Sequence, residues 1–282
     1  MKIHFEEKTY ESYFNNELDS KSSIYFPPGQ VLEGLLGFDA SANSRNRKLW
    51  KSVGFPFWFY PQFSGVKLSD VAKELEIEFK HIIQSIPSIK TNLFFQYKRP
   101  EYITTANGNE WHHWEKEYYR YGIYKEQHSL LSKIDSAFGD RVLVLYAAPA
   151  INSLTDLVKF KVNNRIIENS NFKKASDLNN HSKNTYISSG TYSIACSEPE
   201  RLENINLLSA LESYETNQEL ENEYFFTKTR DVIAETMQYS QPFITLMSEY
   251  EKLKEYELLH TFLTMKSFRE ITGIQWLLSI KA

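Results

Sequence analysis

The sequence predicts a mixed α/β fold: a central mixed β-sheet flanked by helices, with an all-helical extension at the C-terminal end. Three observations carry this. Up to about residue 200, short runs rich in β-branched and aromatic residues alternate with stretches of helical periodicity. One of those runs, "RVLVLYAAP", is continuously apolar, as strands buried on both faces are. From Arg201 to Ala282 only Pro242 and Gly273 interrupt a texture dominated by Leu, Glu, Lys and Tyr, which reads as consecutive helices. The chain therefore divides into an α/β domain over 1–200 and a helical region over 201–282 that serves packing or partner contact.

The elements follow in order. Pro27 and Pro28 open a short helix, "GQVLEGLL", that Gly37 ends. "FDASA" is extended, "SRNRKLWKS" is a basic helical stretch, and "FPFWFYPQF" is an aromatic loop punctuated by proline. "LSDVAKELEIEFKHIIQSI" is an amphipathic helix with Val71, Leu75, Phe79 and Ile82 on one side. "TNLFFQYK" and "YYRYGIY" read as strands, and "KEQHSLLSKIDSAFG" as a helix stopped by Gly139. After the apolar strand come a short helix, "SLTDLVKF", and further strands in "RIIENSNF" and "TYISSGTYSIA". "SEPERLENINLLSALESYE" supplies a helix start, with Ser197 as cap and Pro199 in the first turn.

Composition narrows the function classes. The chain of 282 residues is 41% hydrophobic and 15% aromatic, enough for a sizeable core. Its net charge of −4 is unlike that of a globally basic nucleic-acid binder, so any such contact is local. A single cysteine, Cys196, excludes an internal disulfide framework and a multi-cysteine zinc site, and fits a reducing cytosol. No apolar run approaches a membrane span and "MKIHFEEKTYESYF" contains no signal-peptide core, so the expectation is a cytoplasmic protein without membrane contact. "WHHWEKE" lacks zinc-helix spacing, because His112 and His113 are adjacent and would point apart on a strand. Nucleotide-binding and nucleophile-elbow signatures are absent.

The chemistry concentrates in "FFQYKRP". Side chains alternate along a strand, so Gln96 and Lys98 share a side and Tyr97 points the other way. An amide oxygen and an ammonium side by side can position a divalent cation and an attacking water, provided that carboxylates hold the ion. Upstream, Glu33 lies on a helix, and Asp39 follows its glycine stop at the start of an extended segment. A Q-x-K tripeptide alone is the exit of a strand from the core. The order of helix acid, Gly-Phe-Asp, apolar strand, Q-x-K, helix and apolar strand carries more weight.

On these residues the chain, over about residues 20–150, resembles the PD-(D/E)xK restriction-endonuclease-like superfamily, in the branch where glutamine replaces the second acid. The resemblance implies a restriction-endonuclease-like core and a Mg2+- or Mn2+-dependent deoxyribonuclease. It implies Asp39 as principal metal ligand, Gln96 as second ligand, and Lys98 orienting the attacking water and stabilising the pentavalent phosphate. Glu33 matches the helix acid; it stands closer to Asp39 than the family usually shows, which leaves Glu17 and Glu11 as alternatives. The long gap from Asp39 to Gln96 requires an insertion. Gln127 and His128 lie on the helix from which related nucleases present a residue to the phosphate backbone. Arg45, Arg47, Lys48, Lys51, Arg99 and His128 are the expected DNA contacts, with Lys173 and Lys174 as weaker candidates. Through "PPGQVLEGLLGFDA", "QYKRPEY", "LYAAPA" and "SGTYSIACSEPE" the whole chain is similar to bacterial proteins associated with defence against phage. The expected function is a DNA endonuclease effector of such defence; the alternative is a catalytically silent subunit that holds DNA or a partner. The helical region, with its acidic side and the apolar "PFITLMSEYEKLKEYELLHTFLTM", is the expected contact for a protein partner or a second copy.

Overall fold

The computed structural model describes residues 3–27, 68–187, 191–214 and 221–281. In chain order its main elements begin with α1 (Glu7–Lys21), β1 (Ile24–Tyr25), α2 (Leu68–Ser85), β2 (Ile89–Tyr97) and β3 (Glu101–Ile103). Then come α3 (Trp111–Trp114), β4 (Tyr118–Gly122), α4 (Lys125–Phe138), β5 (Val142–Pro149), α5 (Leu154–Val162) and β6 (Ser170–Lys174). The remainder is β7 (Lys183–Tyr186), β8 (Tyr192–Cys196), β9 (Glu200–Glu203), α6 (Leu207–Ser213), α7 (Asn222–Thr236), α8 (Gln241–Glu249), α9 (Glu257–Thr272) and β10 (Gln275–Ile280). Contacts group the chain into two compact units. One comprises Met1–Tyr25, Ile89–Asn217 and Thr272–Ala282, and the other Phe26–Ser88 and Gln218–Ile271.

The first unit holds both sheets. One runs in the order β1-β10-β2-β5-β6, the other β3-β4-β7-β8-β9. In the first sheet β2 and β5 are parallel, from Asn92 opposite Val142 to Tyr97 opposite Ala147, and the other neighbours are antiparallel. The second sheet is antiparallel throughout. The architecture is thus mixed α/β, with sheets flanked by helices.

Strand β2 is buried along nearly its whole length and β5 along all of it, so each needs cover on both faces. On one side α1 supplies Phe14, whose ring meets those of Phe95, Tyr97 and Phe172. On the other, α4 buries Leu131 and Ile134, and Phe138 meets Phe94. Gly139 stops α4 with φ 57°, a conformation glycine adopts without a Cβ penalty.

The two sheets meet along a polar seam. Asn171 Nδ2 donates to Asn204 Oδ1 at 2.7 Å, while Asn184 Nδ2 reaches Asn171 Oδ1 at 3.2 Å and the Tyr121 hydroxyl at 3.1 Å. Lys173, fully buried on β6, donates to the backbone carbonyls of Leu202 (2.8 Å) and Glu203 (2.7 Å) on β9. Lys173 is therefore a clamp between sheets and not a surface cation for DNA; Lys174 is exposed.

The second unit is helical among the described residues. Phe262 of α9 packs against Phe79 of α2 and Phe226 of α7. The Glu76 carboxylate accepts from the amides of Leu258 (3.1 Å) and Leu259 (2.9 Å), capping α9 from another helix. The expected apolar side of α2 is seen in Phe79, with Ile83 buried beside it.

The chain beyond 201 departs from the all-helical expectation at two places. Residues 200–203 form β9, so the stretch after Pro199 is extended and the next helix starts at Leu207. At the far end, β10 inserts between β1 and β2. Both runs are short, and each is fixed by a partner strand and not by local periodicity. The expected strand in "RIIENSNF" begins only at Ser170, because Ile166 and Ile167 turn toward α1 and give their amides to Glu17 at 2.5 and 3.3 Å.

That use of Glu17 yields a test. Its carboxylate is buried, accepts two backbone amides and is paired with Lys21 at 2.7 Å. Glu17→Ala would orphan both amides, and urea unfolding is expected to show a loss of about 1–3 kcal/mol.

Candidate functional site

Strand β2 determines where the site forms. Its ladder continues one residue past Tyr97, since the Lys98 amide donates to the Ala147 carbonyl at 2.9 Å. Gln96 and Lys98 are thereby held on one face, only 4% and 6% exposed. Tyr97 projects to the opposite face, where its ring meets Tyr10 and Phe14 and its hydroxyl donates to Asn15 Oδ1 at 2.6 Å.

A residue of the following helix joins the two. Gln127, in the first turn of α4, accepts from Lys98 Nζ at 2.7 Å through Oε1. Its Nε2 donates to Gln96 Oε1 at 2.5 Å and lies 3.4 Å from the Thr272 carbonyl. Gln96 in turn donates to its neighbour's carbonyl, Tyr97 O, at 2.9 Å. The result is a directed chain of ammonium, amide and amide.

The ammonium lies over two rings, 5.0 Å from the centre of Tyr124 and 5.4 Å from that of Tyr146. Burial lowers the Lys98 pKa to about 8, with the negative charge of Glu7 opposing the shift. Glu7, at the start of α1, is itself pushed above the usual carboxylate range by burial, against the pull of Lys98 and of the Arg99 amide, which donates to it at 3.1 Å. At neutral pH Lys98 is an ammonium, and one of its three donors is used by Gln127.

The other expected site residues are placed as follows. Glu33, Asp39, Arg45, Arg47, Lys48 and Lys51 lie outside the described residues. Of the alternative helix acids, Glu17 serves the Ile166 and Ile167 amides and Glu11 pairs with Lys8 at 2.6 Å. Arg99 is half-buried, with its guanidinium on the Glu6 carboxylate (2.9 Å) and the Ile3 carbonyl (2.7 Å). His128 has Nδ1 3.2 Å from the Tyr146 hydroxyl and Nε2 3.0 Å from Asn179 Oδ1. From α4, then, Gln127 reaches the lysine directly, while His128 supports Tyr146 from behind. His112 and His113 sit on the short helix α3, not on a strand.

The sequence placed Gln127 on the right helix, where the resemblance implies a contact to the phosphate backbone, and did not reveal it as the partner of Lys98 and Gln96. Glu7, Tyr124 and Tyr146 carried no motif at all. The available signal was the position of Gln127 in the first helical turn after "YYRYGIY", from which a side chain can reach back to the end of a strand.

The described side chains do not complete a magnesium site. They offer the Gln96 amide oxygen, and near the lysine the Glu7 carboxylate, whereas a hard dication needs several oxygens. Among the described residues no group of three His, Cys, Asp or Glu side chains could hold a metal ion. The acids that the resemblance assigns to the ion, Asp39 and Glu33, are outside the described residues. Comparison with protein-family models, curated proteins and solved structures finds no match. Among the described residues no helix is long and apolar enough to cross a membrane.

The lowered pKa of Lys98 makes a signed prediction. Folded and unfolded chains both hold the proton below pH 8. Between about pH 8 and 10.5 the folded chain releases it first, the unfolded chain binds more protons, and stability rises with pH. The stability of wild type relative to Lys98→Met is expected to rise by on the order of 3 kcal/mol across that window. Urea unfolding at a series of pH values checks it; a flat difference would mean that Lys98 titrates normally.

Proposed function

We propose that the protein is a metal-dependent endonuclease that hydrolyses phosphodiester bonds of DNA, acting in the cytoplasm as an effector of bacterial anti-phage defence. The observation that supports this reading is the Gln96–Gln127–Lys98 chain at the carboxyl end of β2, beside its parallel neighbour β5. Ligands of α/β sheets gather outside the carboxyl ends of parallel strands. The Q-x-K pair of the resemblance stands there with both side chains on one face.

In this reading Asp39 and Glu33 complete the ligand set with Gln96. The Mg2+ or Mn2+ ion, when bound, supplies Lewis-acid neutralisation of phosphate charge. The protein's own residues do the rest. Lys98, protonated at neutral pH, cannot take a proton from water; it donates to the water oxygen or to a non-bridging phosphoryl oxygen. Gln127 fixes the direction of the ammonium, so little reorganisation is needed as negative charge develops. Burial of Lys98 beside Tyr146 and Gln96 lowers the local dielectric and strengthens the field of the cation. The helical region, where Tyr224, Tyr239 and Ile244 are exposed, is read as the contact for a protein partner or a second copy.

One observation favours a second reading. The Gln96 oxygen that would ligate the ion already accepts from Gln127, which suits a silent, nuclease-like subunit that binds DNA or a partner without cutting.

Supercoiled plasmid with magnesium or manganese separates the two. Wild type is expected to nick or linearise it, and Lys98→Ala and Asp39→Ala, shown by circular dichroism to be folded at the assay temperature, to cut on the order of 100-fold more slowly. Cutting by Lys98→Ala at the wild-type rate would remove the assignment. Absence of cutting by wild type with either ion would leave the silent subunit and a nuclease that awaits an activating partner.

A further inference from the structure

Tyr124, which stacks on the Lys98 ammonium, also forms the wall of a cavity of about 470 Å3. Arg99, Glu101, Arg120, Gly122 and Lys183 line it as well, and its volume is in the range of about 300–1,000 Å3 that small-molecule sites occupy. Apart from Arg99, Pro100 and Tyr124, its lining comes from β3, β4 and β7 of the second sheet. The cavity is therefore a place where the second sheet adjoins the end of β2.

Its charges divide into a fixed and an exchangeable part. Glu110 is buried and locked: it accepts from Arg120 Nη1 (2.8 Å), the Tyr118 hydroxyl (3.0 Å) and Lys183 Nζ (3.2 Å). Two cations against this one carboxylate leave one positive charge. The balancing anion is Glu101, whose Oε2 accepts from Arg120 Nη2 at 2.6 Å and Nε at 3.1 Å. The Glu101 side chain is 48% exposed, against 8% for Glu110. Pairs at that exposure contribute little, about 0–1 kcal/mol, so another anion can take the place of Glu101. Arg99 retains a buried Nε–H without a hydrogen-bond partner among the described residues.

We propose that this cavity is a phosphate-ester subsite, in which the anion displaces Glu101 from Arg120, Lys183 adds a second donor, and the Tyr124 ring packs on the attached sugar or base. The identity of the ligand as the strand phosphate next to the one at Lys98 rests on the nuclease reading. A free mononucleotide carries the same chemistry. Gly122 supplies a clean way to close the cavity. A Cβ there meets nothing within 4 Å, so a larger side chain grows into open space.

The test measures binding without cutting, by anisotropy of a fluorescein-labelled single-stranded DNA dodecamer in EDTA, with 5′-AMP as competitor. Glu101→Gln is expected to tighten binding about threefold, by removing the internal competitor. Gly122→Leu is expected to weaken it by about tenfold or more, by filling the cavity. Both should unfold at the wild-type temperature. Should Gly122→Leu fail to fold, Glu101→Gln decides alone. The same pattern with the dodecamer, uncompeted by AMP, identifies a strand phosphate; the pattern with AMP alone identifies a free nucleotide. No binding of either, or affinities unchanged in Glu101→Gln and Gly122→Leu, overturns the subsite. The nuclease reading stands apart: it fails if Lys98→Ala cuts normally, whatever these affinities show, and survives if only the cavity variants are silent.

Discussion

A buried ammonium at the end of a core strand must be bonded, or the strand cannot end there. Moving an ionised amine out of water costs several kcal/mol even after relaxation. Here one side chain answers for two polar groups, because Gln127 accepts from Lys98 and donates to Gln96. Gln127 can do so only if the first turn of α4 stands over the end of β2. That position is set at the other end of the helix, by Leu131, Ile134 and Phe138 against the sheet. Core packing and site geometry are in this sense one constraint.

The two buried lysines show how the same residue type is put to different uses. Burial lowers the pKa of both to about 8. Lys173 spends its donors on the carbonyls of Leu202 and Glu203 and holds β6 to β9. Among the described residues Lys98 has a single hydrogen bond, to the Gln127 side chain, and otherwise rests on aromatic faces. A ring face attracts a cation but takes up no directed donor, so Lys98 keeps hydrogen-bonding capacity where Lys173 has nearly exhausted it. The first arrangement fixes a fold; the second keeps a donor available to a ligand.

What the sequence disclosed follows from range. Alternation over "TNLFFQYK" put Gln96 and Lys98 on one face, and that is a property of the pleat alone. The apolar run of β5, the periodicity of α2 and the glycine stop of α4 are equally local. Strand β10 is different. "IQWLLSI" is a short apolar run that fits a helix or a strand, and its choice is made by β2 and β1, which lie far away in the chain. The role of Lys173 was hidden for the same reason: "NFKK" looks like a basic surface until β9 is laid beside it. The Gln127 contact was nearly legible, but it depends on the angular phase of α4 over the sheet, which periodicity does not fix. The acids Glu33 and Asp39 were read from order along the chain, and that order remains their only support.

The acidic balance of the chain, −4 overall, argues against a surface that attracts nucleic acid from a distance. Around the site it has a local explanation. Each cation there has its own carboxylate: Glu7 for Lys98, Glu6 for Arg99, Glu101 for Arg120 and Glu110 for Lys183. These acids are not equivalent. Glu110 is buried and bonded to three partners, so it behaves as part of the scaffold; Glu6 and Glu101 are 76% and 48% exposed and leave their cations at small cost. A phosphate arriving at such a site exchanges one anion for another, without having to create a charge pair from nothing. Affinity then depends on how well the incoming anion fits the donors compared with a flexible glutamate, and discrimination rests on geometry more than on net charge. On the proposed reading a mildly acidic protein binds a polyanion in this way, and the cations stay paired when none is bound.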